Sequence, residues 1–211
     1  MLASLLTIAL LHWIVLLVPG ANFVLVGQLA AGHQRSVAVA ASFGISTVTF
    51  MWATVAILGL GLLFTTQPHW RYVLQVAGGL YLCYLATRFW RVRSLASTTA
   101  LTHVSVSQAF RQGFFTNVLN PKTALFFGSV FATALPAQAS LSLLVTAVVL
   151  VYLNSLVWHL ILAFLFSQRT IQQFYARKVH IFSRFCSILI AFFGLQLVIH
   201  TIIELLQCDF Y

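Results

Sequence analysis

An all-α integral membrane protein with six transmembrane helices is predicted by three observations. Of the 211 residues, 61% are hydrophobic and only 6% charged, and the mean hydropathy is +1.00. A soluble domain carries roughly 25% charged residues. Six apolar runs can be drawn, each close to or above the about 20 residues that cross a bilayer. The basic residues gather in alternate connections between those runs, the pattern that sets orientation in a membrane.

The runs cover 2–27, 37–64, 72–90, 110–135, 141–167 and 185–206. The first is apolar from Leu2 and lacks the positive n-region and small-residue cleavage site of a signal peptide, so it is read as a retained helix. The second and fifth are long enough to tilt. Trp70 and Tyr72 open the third and Trp90 closes it, as amphipathic rings do at the headgroup level. Trp13, Trp52 and Trp158 fall deeper in their runs and read as packing residues. The connection 91–109 is polar and rich in Ser and Thr, with a helical tendency near Val104–Phe110. It reads as a linker between repeat 1 (about 1–90) and repeat 2 (about 110–211) of a single transporter domain.

Arg35, Arg88, Arg91, Arg93, Arg111, Arg169, Arg177, Lys178 and Arg184 lie in odd-numbered connections, and Arg71 alone lies in an even-numbered one. Loops rich in Lys and Arg stay in the cytoplasm, so both termini are expected on the opposite, periplasmic side. The net charge of +9 is thus assigned to topology, not to nucleic acid, which would need a basic face on a soluble fold. The three cysteines, Cys83, Cys186 and Cys208, show no ligand spacing, so neither a structural metal nor a cofactor is expected. Cys83 and Cys186 read as small packing residues. Glu204 is expected at an interface.

Two interruptions carry the chemistry. Pro19-Gly20 breaks the first run and Asn120-Pro121-Lys122 breaks the fourth. Proline removes one N–H and clashes with the carbonyl four residues back, so carbonyls near Val15 and Leu16 lose their partners. The segment after each break presents a helix N-terminus, which suits an anion. Freed carbonyls suit an ammonium, and a zwitterion needs both. A plain proline kink accounts equally for the first break. Asn117 and Asn120 share a helix face. Lys122 lies about 16 Å of helix rise beyond Arg111, too deep for an ordinary end-of-helix lysine, and such residues are functional candidates. The alternative is a lysine that snorkels or bonds only the carbonyls left by Pro121. Asn22 follows the first break. His12, Asn154 and His159 are the other polar groups inside runs, and a histidine there is either a proton relay or a hydrogen-bonded packing residue.

Breaks at matching places in two halves are the sequence mark of inverted-repeat transporters. Gly27 and Gly128 follow the two prolines at similar distances, and Gly79-Leu80-Tyr81-Leu82 matches Gly194-Leu195-Gln196-Leu197. Each half has an odd number of spans, so duplicated halves insert in opposite senses. Ala40/Gly44, Ser42/Ser46 and Gly78/Gly79 allow close helix contact. No GxSxG or HExxH pattern occurs, and Gly128-Ser129 has no positioned base, so an enzyme is not expected.

These residues resemble the LysE/RhtB family of bacterial amino-acid exporters over nearly the whole chain. The resemblance rests on Pro19-Gly20 with Asn22-Phe23, on Gly44, on Gly78-Gly79-Leu80-Tyr81-Leu82, and on Gly113-Phe114 with Asn117 and Asn120-Pro121-Lys122. The run Phe127-Gly128-Ser129-Val130-Phe131, and His12 seven residues before Pro19, look like the threonine-efflux branch. It implies proton-driven export of a small amino acid such as threonine or homoserine across the inner membrane. The chain departs from the family at Ala21, where a second proline is usual. It departs from the branch at Asn22, where an acidic residue is usual, and at Asn154, near the place of a glutamate.

The resulting expectation is an inner-membrane exporter with Pro19, Gly20, Asn22, Asn117, Asn120, Pro121 and Lys122 at the substrate. His12, Asn154 and His159 would form a proton relay or polar pathway. Its partners would be the amino acid and membrane lipid, with a homo-oligomer left open. The alternatives are a transport-inactive assembly or regulatory subunit, favoured by the missing carboxylates, and a passive small-solute channel.

Overall fold

The described residues fold almost entirely into helices. The computed structural model describes residues 1–31, 35–66, 70–91, 104–136 and 138–208. Most of the 91–109 connection, Arg93 and Asp209 lie outside these, as do the side chains of Trp70, Arg71 and Cys208. The described residues form eight helices: α1 (Leu2–Leu17), α2 (Ala21–Ala31), α3 (Arg35–Thr66), α4 (Trp70–Trp90), α5 (Val106–Val118), α6 (Pro121–Ala134), α7 (Leu141–Leu165) and α8 (Arg169–Cys208). Among them α3, α7 and α8 are each long and apolar enough to cross a membrane, and α1 with α2 passes the same test as one bent span.

The two expected breaks are present, and each has a local cause. Val18 is held extended at φ −80° and ψ 125°, as a residue before proline must be. Helix α1 therefore stops at Leu17, and α2 leaves at 56° to it. At the second break Asn120 is an N-cap whose side chain accepts from the Lys122 N–H at 3.1 Å, with Pro121 as the first helical residue. Proline suits that position because its missing N–H would have no partner there. Helix α5 starts on a capping box, in which Ser105 and Gln108 satisfy each other's backbone N–H groups.

One expectation is corrected. Residues 168–184 read as the fifth connection between apolar runs, yet from Arg169 onward they are the first part of α8, which runs unbroken for 40 residues. That is about 60 Å of helix, twice the roughly 30 Å hydrocarbon core. The polar first part, with Arg169, Arg177, Lys178 and Arg184, therefore extends beyond the core. Arg184 lies over the Trp90 ring at 5.4 Å.

Glycines set how closely the helices approach. A Cβ on Gly113 would stand 2.2 Å from the Ala41 carbonyl oxygen, and one on Gly44 would stand 2.1 Å from that of Phe110, so α3 and α5 meet backbone to backbone. Gly79 and Gly194 do the same for α4 and α8. Trp13 packs edge-on against Trp158, and Cys186 is buried in the apolar core, as expected of packing residues. The outward faces carry residues such as Leu58, Phe185 and Phe192, each more than half exposed. Apolar patches of this extent need a nonaqueous neighbour. Glu204 is at the surface, 3.5 Å from His200.

Gly113→Val is expected to lower the yield of folded protein in detergent severely, because backbone cannot yield as a flexible side chain does. Gly128→Ala is the control: nothing lies within 4 Å of the added methyl, so the thermal unfolding midpoint should hold or rise.

Candidate functional site

The two breaks meet at Lys122. Its ammonium donates to the Val15 carbonyl at 3.0 Å and to the Val18 carbonyl at 3.3 Å, across the molecule from the other half of the chain. These carbonyls belong to the end of α1, where Pro19 and the bend leave them without helical partners. A third, that of Leu17, accepts from the Tyr175 hydroxyl at 3.0 Å. The end of a helix is its negative pole and attracts a cation. Lys122 itself sits in the first turn of α6, the positive pole, so its long stem carries the charge away from its own helix end to the favourable end of another. The Phe89 ring covers the ammonium at 5.0 Å.

This contact forms one wall of a chamber. His12, Val15, Val18, Gly20, Asn22, Thr49, Asn120, Lys122, Thr123 and His159 line it, together with Phe23, Phe126 and Phe127. The first turns of α2 and α6 both reach it, so two helix N-termini converge there. Among the described residues that line it there is no carboxylate. Its free space is about 40 Å³, enough for two or three water molecules at most. A substrate enters only if side chains give way.

Asn117 stands behind this wall. It is fully buried and spends its amide on the protein. Its Nδ2 donates to the Ile45 carbonyl (2.7 Å) and to Thr49 Oγ1 (3.2 Å), and its Oδ1 accepts from Asn22 Nδ2 (2.9 Å) and Thr123 Oγ1 (2.7 Å). One side chain thus ties α2, α3, α5 and α6. From Thr49 the network continues through Ser155 Oγ (3.1 Å) to Ser46 Oγ (3.2 Å) and to His159 Nδ1 (3.4 Å). His159 Nδ1 also lies 2.7 Å from the Ser155 carbonyl. A carbonyl only accepts, which assigns the ring proton to Nδ1 and leaves Nε2 as the acceptor. His12 packs against both Phe126 and Phe127, and its buried Nδ1 has no hydrogen-bond partner among the described residues.

The structure therefore brings Gly20, Asn22, Asn120, Lys122, His12 and His159 to one chamber. It places Asn117 in its supporting wall. Pro19 lies on the other side of Lys122, lining a separate groove, and Asn154 is buried outside the chamber lining, its Nδ2 without a partner among the described residues. Sequence reasoning missed Thr49, Thr123 and Tyr175. Thr49 was within reach: Ser42, Ser46 and Thr49 fall on one face of α3 at helical spacing.

Residues 13–201 match the family described as LysE type translocator. The chain is 30% identical to the threonine efflux protein of Salmonella typhi over 94% of its length and 99% of that protein's. It shows the same identity and coverage with the threonine efflux protein of Escherichia coli K12. A homoserine/homoserine lactone efflux protein of Salmonella typhimurium is 28% identical over 59% of this chain and 61% of its own. No solved structure matches.

Asn117→Leu should strand the polar partners of Asn22, Thr49 and Thr123 in the interior. A loss of about 2–3 kcal/mol is expected, read as a lowered unfolding midpoint in detergent. Asn154→Leu, which removes an amide whose Nδ2 has no partner among the described residues, should have a much smaller effect.

Proposed function

The chain belongs to the LysE type translocator family, and we propose that it exports a small zwitterionic amino acid, such as threonine or homoserine, across the bacterial inner membrane by secondary active transport. The observation that carries this reading is the Lys122 ammonium resting on the Val15 and Val18 carbonyls in a chamber whose described lining has no carboxylate. A zwitterion supplies what the chamber lacks and competes for what it holds. Its carboxylate pairs with Lys122 at the converging N-termini of α2 and α6, where Gly20, Asn22 and Asn120 stand. Its own ammonium takes over the carbonyls that Lys122 gives up. The exchange replaces one set of charge-assisted hydrogen bonds with another, so a neutral or purely cationic solute is disfavoured.

Six spans accommodate the eight helices if α1 with α2 and α5 with α6 each count as one broken span. Repeat 1 (1–90) and repeat 2 (110–211) then follow opposite orientations. The matched breaks support this, as does the reciprocal contact of Gly79 with Gly194, two positions the repeat makes equivalent. With the Arg-rich ends in the cytoplasm, both termini are periplasmic, and the site lies between the two halves, as in other inverted-repeat transporters. Coupling to protons falls to His159 and His12, since Asn22 and Asn154 cannot titrate. The hydroxyls of Thr49 and Ser155 connect His159 to the Asn117 network.

The same two amides favour the rival reading, a non-transporting paralogue, so the test must separate them. Cells preloaded with labelled threonine or homoserine should lose label faster with the protein than without it, and a protonophore should abolish the difference. Lys122→Met, at equal abundance in the membrane, should reduce the rate by at least about tenfold, the scale of a lost charge-assisted contact. Unchanged efflux in Lys122→Met contradicts the site. Flux that follows only the amino-acid gradient indicates a passive channel, and no flux from membrane-inserted protein favours the non-transporting rival.

A further inference from the structure

We propose that the groove on the far side of Lys122 is an outer subsite, where Arg88 holds the carboxylate of an amino acid on the cytoplasmic side before it reaches the chamber. This rests on the export reading above. The groove has about 420 Å³ of free space, against about 40 Å³ for the chamber, and Lys122 and Asn120 line both. They form the partition. The groove therefore admits a small amino acid as it stands, whereas the chamber does not.

Its wall is one face of α4. Tyr81, Tyr84, Leu85 and Arg88 line it, at the i, i+3, i+4 and i+7 spacing that puts side chains on a single helix face. Arg88 is exposed in the last turn of α4. Among the described residues the single carboxylate side chain is Glu204, and its ion-pair contact is with His200. The guanidinium is thus a cation lining the groove with no carboxylate partner among the described residues, and its five donors suit bidentate carboxylate binding. The adjacent Phe89 faces the Lys122 ammonium, so the two cations lie at successive places along one groove. A carboxylate moves from Arg88 to Lys122 without crossing a region empty of positive charge. A lipid phosphate offers Arg88 similar chemistry, but the continuity of the groove with the partition favours a solute in transit.

The test is uptake of labelled threonine by inside-out vesicles of reconstituted full-length protein, in which the cytoplasmic face is outermost. Arg88→Gln should raise KM roughly tenfold, as for one charge-assisted hydrogen bond, with the maximal rate within about twofold of the parent. Arg88→Lys should recover most of the affinity. Threoninamide, which lacks the carboxylate, should compete equally poorly with parent and variant. An unchanged KM in Arg88→Gln, while the parent transports, overturns the subsite alone. A KM effect that disappears in bilayers without anionic lipid identifies a headgroup contact and also overturns it. Failure of the parent protein to transport any amino acid overturns the export reading and this subsite with it.

Discussion

Lys122 holds a positive charge among apolar helices that offer it no acid. The whole sequence contains two carboxylate side chains, Glu204 and Asp209, both at the C-terminal end. A buried ammonium must find acceptors or be excluded. The acceptors exist because Pro19 ends α1 early and strands its last carbonyls. Each defect answers the other: the proline break would expose backbone oxygens to an apolar interior, and the lysine would be an unpaired ion. Their contact spans more than a hundred residues of sequence and joins the first quarter of the chain to its second half. The Asn117 knot braces the chamber from behind, and the hydroxyl of Tyr175 donates to a further carbonyl of the α1 end, that of Leu17.

Much of this frame was legible in the sequence, for reasons that are local. Proline acts on its own neighbours, so both breaks could be placed to within a residue or two. Asn120-Pro121-Lys122 marks the second break in the sequence, and the structure makes Asn120 the N-cap of α6 with Pro121 its first helical residue. The position of Lys122 just after the second break is also plain in the sequence. What Lys122 touches did not follow, because its acceptors are backbone atoms of another helix and carry no sequence signature. Asn117 and Asn120 looked equivalent at a three-residue spacing, yet Asn120 caps α6 and Asn117 is consumed by four hydrogen bonds. Their fates depend on which side of the break each falls. The start of α8 is hidden in the sequence for a different reason. Its arginines and lysine resembled a loop, although no glycine or proline interrupts the segment before Gly194 and the aromatic rings of Phe174, Tyr175 and Phe182 fall at helical intervals.

The amide at Asn22 gains a physical sense from this arrangement. Its Nδ2 donates to Asn117, which an aspartate could not do, and it lines the same chamber as Lys122. A carboxylate there would offer Lys122 a permanent counter-ion. With an amide, the anion missing from the chamber is left for the substrate to bring. In the proposed cycle this makes release of Lys122 from the α1 carbonyls conditional on a zwitterion. A conformational change is explained only by a ligand that interacts differently with the two states, and here the difference is that exchange of partners.

The most direct test exploits the scarcity of lysine. Lys178 is the only other lysine in the chain, so protein labelled with 15N at the lysine side chain and 13C at valine carbonyls gives a readily assigned magnetic-resonance signal in bilayers. Without substrate, the Lys122 nitrogen should show strong dipolar coupling to valine carbonyl carbon. Saturating threonine should remove that coupling. Coupling that is absent from the start, or that survives unchanged when threonine is bound, would contradict the account.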